Sequence, residues 1–399
     1  MIVRQRDAAR DFEPTRHYGP WRQRCPLHLE SDHDPPFYVL SRFDDIVDAL
    51  RHPELWRNSD GPGVFYQERG VLGTTDEPDH GRHRQVLRAS FTPSAIDRLE
   101  PRIRAITNDL IDEFIDVGAC DFIDRFAAPL PALAIAELLG VSGDDRDDFR
   151  RLSDVAVAAL SGGDVSAYES AKGALESYVL AGVEARDRSL EGGAAHAVPG
   201  AAPPDDVLAV LAAARRDGTI TTDEARHLGY QLLVAGHETT TSLLGTMLYR
   251  LLERPALSAA LRENIGLLPA AIEEALRFDS PVHGLFRTNA DECVVHGESI
   301  PRGTKLQLAF AAANRDPAQF TQPDEFKLDR DRRELGRHVA FGWGLHLCIG
   351  APLARLEARV AFEQLLARID GIVLDGEPER NDSFVLHGLT RLPIRFTKR

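Results

Sequence analysis

The stretch Phe341–Gly350, FGWGLHLCIG, gathers residue types that can do chemistry. Cys348 stands between Gly344 and Gly350, with Gly342 upstream and His346 two residues before it. Glycines let the backbone turn and let a flat group lie close to it. Pro352 suits a first helical turn, and Leu353, Leu356 and Val360 open a helical stripe. Cys348 is therefore expected in a tight loop feeding a helix N-terminus, where loop N–H groups and the helix dipole favour a thiolate. A thiolate so placed can be an axial ligand to haem iron, the ligation that favours O–O cleavage. A lone cysteine is more often a small buried hydrophobe. The pattern F-x-x-G-x-x-x-C-x-G, however, arises by chance in roughly one such chain in a thousand at ordinary glycine abundance.

Other spacings carry weaker chemistry. In DEPDHGRHRQVL, Asp76 or Asp79 can cap a helix with Pro78 in its first turn. His80 and Arg84 then share one face, and two cationic donors there suit a pair of carboxylates. Arg82, His83 and Arg88 are expected on the outside of that helix. The longest helical pattern runs from Thr221 to Glu253, opened by the capping-box spacing Thr221-x-x-Glu224 and closed by Pro255. At 1.5 Å rise it spans roughly 48 Å. Its middle, Ala235–Thr241 (AGHETTT), holds a glycine and consecutive threonines, which are poor helix formers. Such local violations gather at functional sites. Glu274-x-x-Arg277 can meet on a helix, although that spacing alone usually means a surface pair of little worth.

These residues need a scaffold, and composition bounds it. The chain has 399 residues and 43% hydrophobic content, enough for two or three average domains or one large one. A formal charge of −15 argues against sequence-independent nucleic-acid binding. Cys25, Cys120, Cys293 and Cys348 form no C-x-x-C pair, which speaks against a zinc site or a disulfide framework and fits a reducing cytoplasm. The absence of C-x-x-C-H argues against covalent haem attachment of the c type. The N-terminus has no apolar signal region, and no run of about 18 apolar residues occurs. A cytoplasmic protein with no membrane partner is expected.

Phe37–Leu40 reads as a strand, followed by a helix from Phe43. Residues 58–75 read as a loop carrying Phe65, Tyr66, Val71 and Leu72. Helical patterns run from Ile96 to about Ala185. Residues 192–204, GGAAHAVPGAAPP, read as a flexible surface loop. Cys293–Val295, Ser299–Ile300 and Lys305–Leu308 read as strands, and SFVLHGLTRLPIRF has strand character near the C-terminus.

The motifs at His80–Arg84, Ala235–Thr241, Glu274–Arg277 and Phe341–Gly350, in this order along the chain, resemble those of the cytochrome P450 monooxygenases, the soluble bacterial members above all. The resemblance spans about Phe37 to Phe396. It implies a mainly α fold with small β-sheets, one large domain over residues 1–399, and a long central helix over the haem. It implies a haem b with Cys348 as axial ligand and no other metal. Phe341, Gly342, Gly350 and Ala235 would frame the cofactor, and His80, Arg84, Arg287 and His346 would hold its propionates. Gly236 would widen the helix where O2 binds, and Glu238 and Thr239 match an acid–alcohol pair for proton delivery. Glu274, Arg277 and Arg330 would form a buried support for the haem loop. Phe65, Tyr66, Leu72, Gln231, Val234, Val282, His283, Leu285, Val385 and Leu386 would line the substrate pocket.

The activity implied is insertion of one oxygen atom of O2 into an apolar small to medium substrate, most simply hydroxylation. No reductase domain follows Cys348, so the electrons are expected from a separate ferredoxin and an NAD(P)H-dependent ferredoxin reductase. Docking is expected on the cysteine side, at Arg82 and Arg88. A peroxide-driven peroxygenase is disfavoured by the acid–alcohol pair. A haem-thiolate sensor is disfavoured by the proton-delivery residues and pocket loops.

Overall fold

The computed structural model describes residues 15–24, 26–65, 70–145, 149–153, 155, 165–191, 206–381, 383 and 385–399. Tyr66, Cys25 and the 192–204 loop lie outside the described residues. The elements that matter for the site, in chain order, begin with β1 (Leu27–Glu30), β2 (Phe37–Leu40), α1 (Phe43–Arg51), β3 (Trp56–Arg57) and α2 (Asp79–Leu87). Then come α3 (Glu100–Asp112), β4 (Ala119–Asp121), α4 (Pro129–Leu139), α5 (Val165–Glu191), α6 (Val207–Arg216) and α7 (Thr222–Glu253). Last are α8 (Leu268–Phe278), β5 (Leu285–Asn289), β6 (Lys305–Leu308), α9 (Ala351–Arg368), β7 (Ile369–Leu374) and β8 (Pro393–Lys398). The protein is mostly helical with small sheets.

The described residues fall into two compact units. The first takes those within Met1–Glu77, Gly245–Cys348 and Pro378–Thr390. Its sheet has the order β1-β2-β6-β5-β3, with β2 and β6 parallel and the other pairs antiparallel. Side chains of β2 alternate between two apolar clusters. Phe37 and Val39 join Tyr18, Trp21 and Phe286 on one face. Leu40 joins Ile46, Leu50, Leu306, Leu308 and Phe320 on the other. Both faces are buried, which is why FYVL is apolar throughout instead of alternating.

The second unit takes the described residues within Pro78–Leu244, Ile349–Glu377 and Arg391–Arg399. Helix α9 packs on α3, with Arg359 donating to both oxygens of Glu100 at 3.3 and 2.6 Å. Its stripe is the expected one: Leu353, Leu356 and Val360 are buried, and Pro352 sits in the first turn. The helical pattern from Ile96 to Ala185 is broken by β4, which pairs with β8, Ala119 opposite Arg395. The expected capping box is formed: Thr221 N–H donates to Glu224 Oε2 at 2.7 Å, and Glu224 N–H donates to Thr221 Oγ1 at 3.1 Å. Helix α7 stays α-helical through Ala235–Thr241. The threonines fold back into it, Thr239 Oγ1 donating to the Ala235 carbonyl at 2.8 Å and Thr241 Oγ1 to that of His237 at 3.0 Å.

Candidate active site

Asn314 fixes the approach to the cysteine loop, its Oδ1 accepting from Val339 N–H at 2.7 Å. The loop then closes on itself, Cys348 N–H donating to the Phe341 carbonyl at 2.9 Å. Gly342 and Gly344 adopt φ of +72° and +68°, a region that disfavours side chains. A Cβ on Gly344 would also lie 3.1 Å from the Leu50 carbonyl of α1. Phe341, Gly342 and His346 are half-buried, while Cys348 is exposed. Gly350 stands immediately before α9, as expected.

The Glu274-x-x-Arg277 pair is fully buried, against the usual fate of that spacing. Arg277 Nε and Nη2 donate to the two carboxylate oxygens, each at 2.8 Å. Arg330 donates to the same two oxygens at 2.8 and 3.1 Å, as the resemblance implied. Lys327 N–H adds a bond at 2.9 Å. The free arms of the arginines reach backbone carbonyls at Asn314, Pro323, Glu325 and Thr321. The knot therefore fixes the chain that leads into Asn314 and the cysteine loop.

Arg287 projects from β5 into the buried interior. Among the described residues its one hydrogen bond is to the Phe286 carbonyl, at 2.8 Å. Burial lowers its pKa to about 10, with Asp76 opposing. Asp76 itself does not cap α2. It accepts from Asn58 and Ser59 N–H at 2.8 and 3.0 Å, tying the base of the 58–75 loop. Lys305 holds the same base, donating from Nζ to the carbonyls of Asp60 and Gly61 at 2.7 and 3.0 Å, and burial lowers its pKa to about 8. Farther along the loop, Leu72 is buried and Phe65 is exposed.

Val282 bridges Leu386, and His283 N–H donates to the Val385 carbonyl at 2.7 Å, so these expected pocket segments do meet. Val282, Leu285, Val385 and Leu386 are half-buried. The ring of His283 is buried, 3.9 Å from that of His387. Burial and Arg380 lower the pKa of His283 to about 3, leaving a neutral packing group.

In the second unit, α2 begins at Asp79 without a side-chain cap. His80 is buried and Arg84 half-buried, four residues apart on one face. Two residues expected outside are not free. His83 is buried, and Arg82 is bound to Glu224, because a carboxylate from the capping box stands opposite them. Arg88 is exposed as expected. Along α7, Gln231, Val234, Gly236, Glu238 and Thr239 are half-buried and Ala235 is exposed, an accessible strip on a helix otherwise rich in buried residues. Gly236 lies against α4, where a Cβ would come 3.3 Å from Ile135 Cδ1. His237 turns away from the strip, buried and hydrogen-bonded through Nδ1 to Ser153 Oγ at 2.9 Å.

These residues fit a haem. One thiol is accessible at the end of a rigid turn, and Arg287 is a buried cation that calls for an anion. No group of three or more His, Cys, Asp or Glu suited to a metal ion occurs among the described residues. A cytochrome P450 family model matches residues 156–396. The chain is 36% identical to cytochrome P450 107B1 of Saccharopolyspora erythraea, over 96% of each chain. It is 34% identical to the vitamin D(3) 25-hydroxylase of Pseudonocardia autotrophica, over 94% of this chain and 92% of that one. It superposes with a TM-score of 0.84 on CYP109E1 from Bacillus megaterium in complex with corticosterone, at 30% identity over 96% of this chain and 98% of that one. The chain belongs to the cytochrome P450 family. Cytochrome P450s hold haem iron through a cysteine thiolate, and this P450 is a haem-thiolate monooxygenase. No helix among its described residues is long and apolar enough to cross a membrane.

Asp76, Glu224, Lys305 and Asn314 were not singled out for these contacts by sequence reasoning. Only Glu224 carried a local signal, through its capping-box spacing.

Proposed function

We propose that this P450 hydroxylates an apolar substrate of steroid or terpenoid size, using Cys348 as the axial ligand of a haem b and electrons from a ferredoxin and its NAD(P)H-dependent reductase. The cysteine loop carries the reading: its backbone is fixed by the Cys348–Phe341 bond and its thiol is left exposed. When bound, haem supplies oxygen activation and transfer of one oxygen atom, while the protein orients and excludes. His80, Arg84, Arg287 and His346 would hold the haem propionates. Thr239 spends its one donor on the Ala235 carbonyl, leaving lone pairs to accept a proton-bearing neighbour. Glu238, on the same accessible strip, brings the protons in.

Val234, Val282, Leu285, Val385 and Leu386 supply apolar contact for the substrate. The names of the vitamin D(3) hydroxylase and the corticosterone-bound neighbour favour polycyclic substrates. Arg88 remains for ferredoxin docking, since Arg82 is engaged. The cysteine usage suits the cytoplasm.

Cys348→Ser is expected to abolish the far red-shifted Soret band of the ferrous–CO complex, and survival of that band would refute the ligand. Thr239→Ala is expected to separate electron consumption from product. Indifference to that change would favour peroxide-driven chemistry. A low-to-high spin shift of the ferric protein with steroids, absent with fatty acids and simple aromatics, checks the substrate class.

A further inference from the structure

Arg82 lies on α2 roughly half a turn away from both His80 and Arg84, so it projects from the back of the face those two share. Its guanidinium grips both oxygens of Glu224, Nη2 to Oε1 at 2.5 Å and Nη1 to Oε2 at 3.1 Å. It also donates to the Thr219 carbonyl at 2.8 Å and to Asp79 of its own helix at 2.9 Å. His83 Nε2 reaches Glu224 Oε1 at 3.0 Å. The same carboxylate receives Thr221 N–H and so caps α7. These bonds hold the Glu224 carboxyl well below its usual range, Arg82 being the largest cause. One side chain thus welds α2 to the N-terminal end of the helix that carries Glu238 and Thr239.

We infer that Arg82 and Glu224 form a latch that positions α2, and through it His80 and Arg84, for holding the haem. The inference rests on the reading of His80 and Arg84 as propionate donors. Arg82 and Glu224 are positioning residues. A bidentate guanidinium–carboxylate pair fixes distance and orientation together, which a point charge does not. With Arg82 removed, α2 keeps the His83 bond to Glu224 but loses the bidentate grip that sets its orientation, while His80 and Arg84 remain intact.

The test is capture of haem from the holoenzyme by apomyoglobin, followed spectroscopically and independent of turnover. Arg82→Gln and Glu224→Gln are each expected to speed haem loss by about tenfold, the scale of a charge-assisted bond. Glutamine at 224 keeps the capping geometry, so helix initiation is not the variable. Arg82→Lys is expected to fall between Arg82→Gln and wild type. Wild-type haem retention in both single variants overturns the latch, as does a lowered melting temperature without faster haem loss. His80→Gln and Arg84→Gln separate the two readings. If they speed haem loss and Arg82→Gln does not, the latch alone fails. If they leave haem loss unchanged, the propionate reading fails and takes the latch with it.

Discussion

Two glutamates in this protein are each gripped by arginine, and they live in different surroundings. Glu274 and Arg277 are 0% exposed and Arg330 is 2% exposed. Glu224 is 20% exposed and Arg82 32%. Both carboxylates make bidentate contact. Around Glu274, the arginine arms left over are taken up by backbone carbonyls and by Glu334, so the buried carboxylate has no water to fall back on. Around Glu224, solvent can replace a lost partner. Burial, and not the number of bonds, therefore decides whether such a knot is part of the fold or an adjustable tie.

The largest effect tests the buried side. Glu274→Gln leaves two guanidinium groups facing an amide in the interior, and is expected to cost about 3–5 kcal/mol. Urea unfolding with haem content read in parallel checks it, and a loss below that of Glu224→Gln would break the contrast. Glu357 sharpens it, as a buried carboxyl on α9 with an oxygen that has no partner among the described residues. Burial alone raises its pKa from 4.5 to about 8. The folded state thus keeps a proton that the unfolded chain releases. The contribution is most favourable below pH 4.5 and is lost as pH rises from 4.5 to about 8. Glu357→Gln should remove that slope, which is at most ~1.4 kcal/mol per pH unit. Melting temperatures of both proteins at pH 5, 6.5 and 8 would show parallel curves if the carboxyl is in fact solvated.

The smallest effect belongs to the half-exposed network of Glu100 with Arg359 and Arg104. Those two arginines lower the Glu100 pKa to about 2. Its contribution is full above the ordinary carboxyl range and fades as pH falls through that range toward 2. Solvent screens the network, so Glu100→Gln is expected to cost only ~0.2–1 kcal/mol at pH 7. Added salt should shrink that difference further, and a larger loss would show the network to be drier than its exposure suggests.

What was legible in the sequence follows the same division between local and distant causes. The Cys348 turn, the Thr221–Glu224 cap and the α9 stripe are set by residues within a few positions of one another, and the structure carries all three. Strand β4 has three residues and a partner near the far end of the chain, so no window around it could disclose the pairing. Arg82 and His83 look like any basic helical surface until Glu224 is brought opposite them. Asp76 sits where a helix cap belongs, and only the fold shows that Asn58 and Ser59 take its oxygens instead.

The lysine beneath the 58–75 loop makes this protein its own clock. The chain has four lysines, Lys172, Lys305, Lys327 and Lys398. Lys305 is nearly sealed by the carbonyls of Asp60 and Gly61, and burial lowers the pKa of its amine to about 8. The same burial keeps the amine from reagents until it is uncovered. Its acylation by an amine-reactive probe, read by mass spectrometry against Lys398, would then be limited by how often the loop base lifts. A substrate that stills this loop should slow labelling at Lys305 and leave Lys398 unchanged, giving a count of loop openings from a residue the chain already carries.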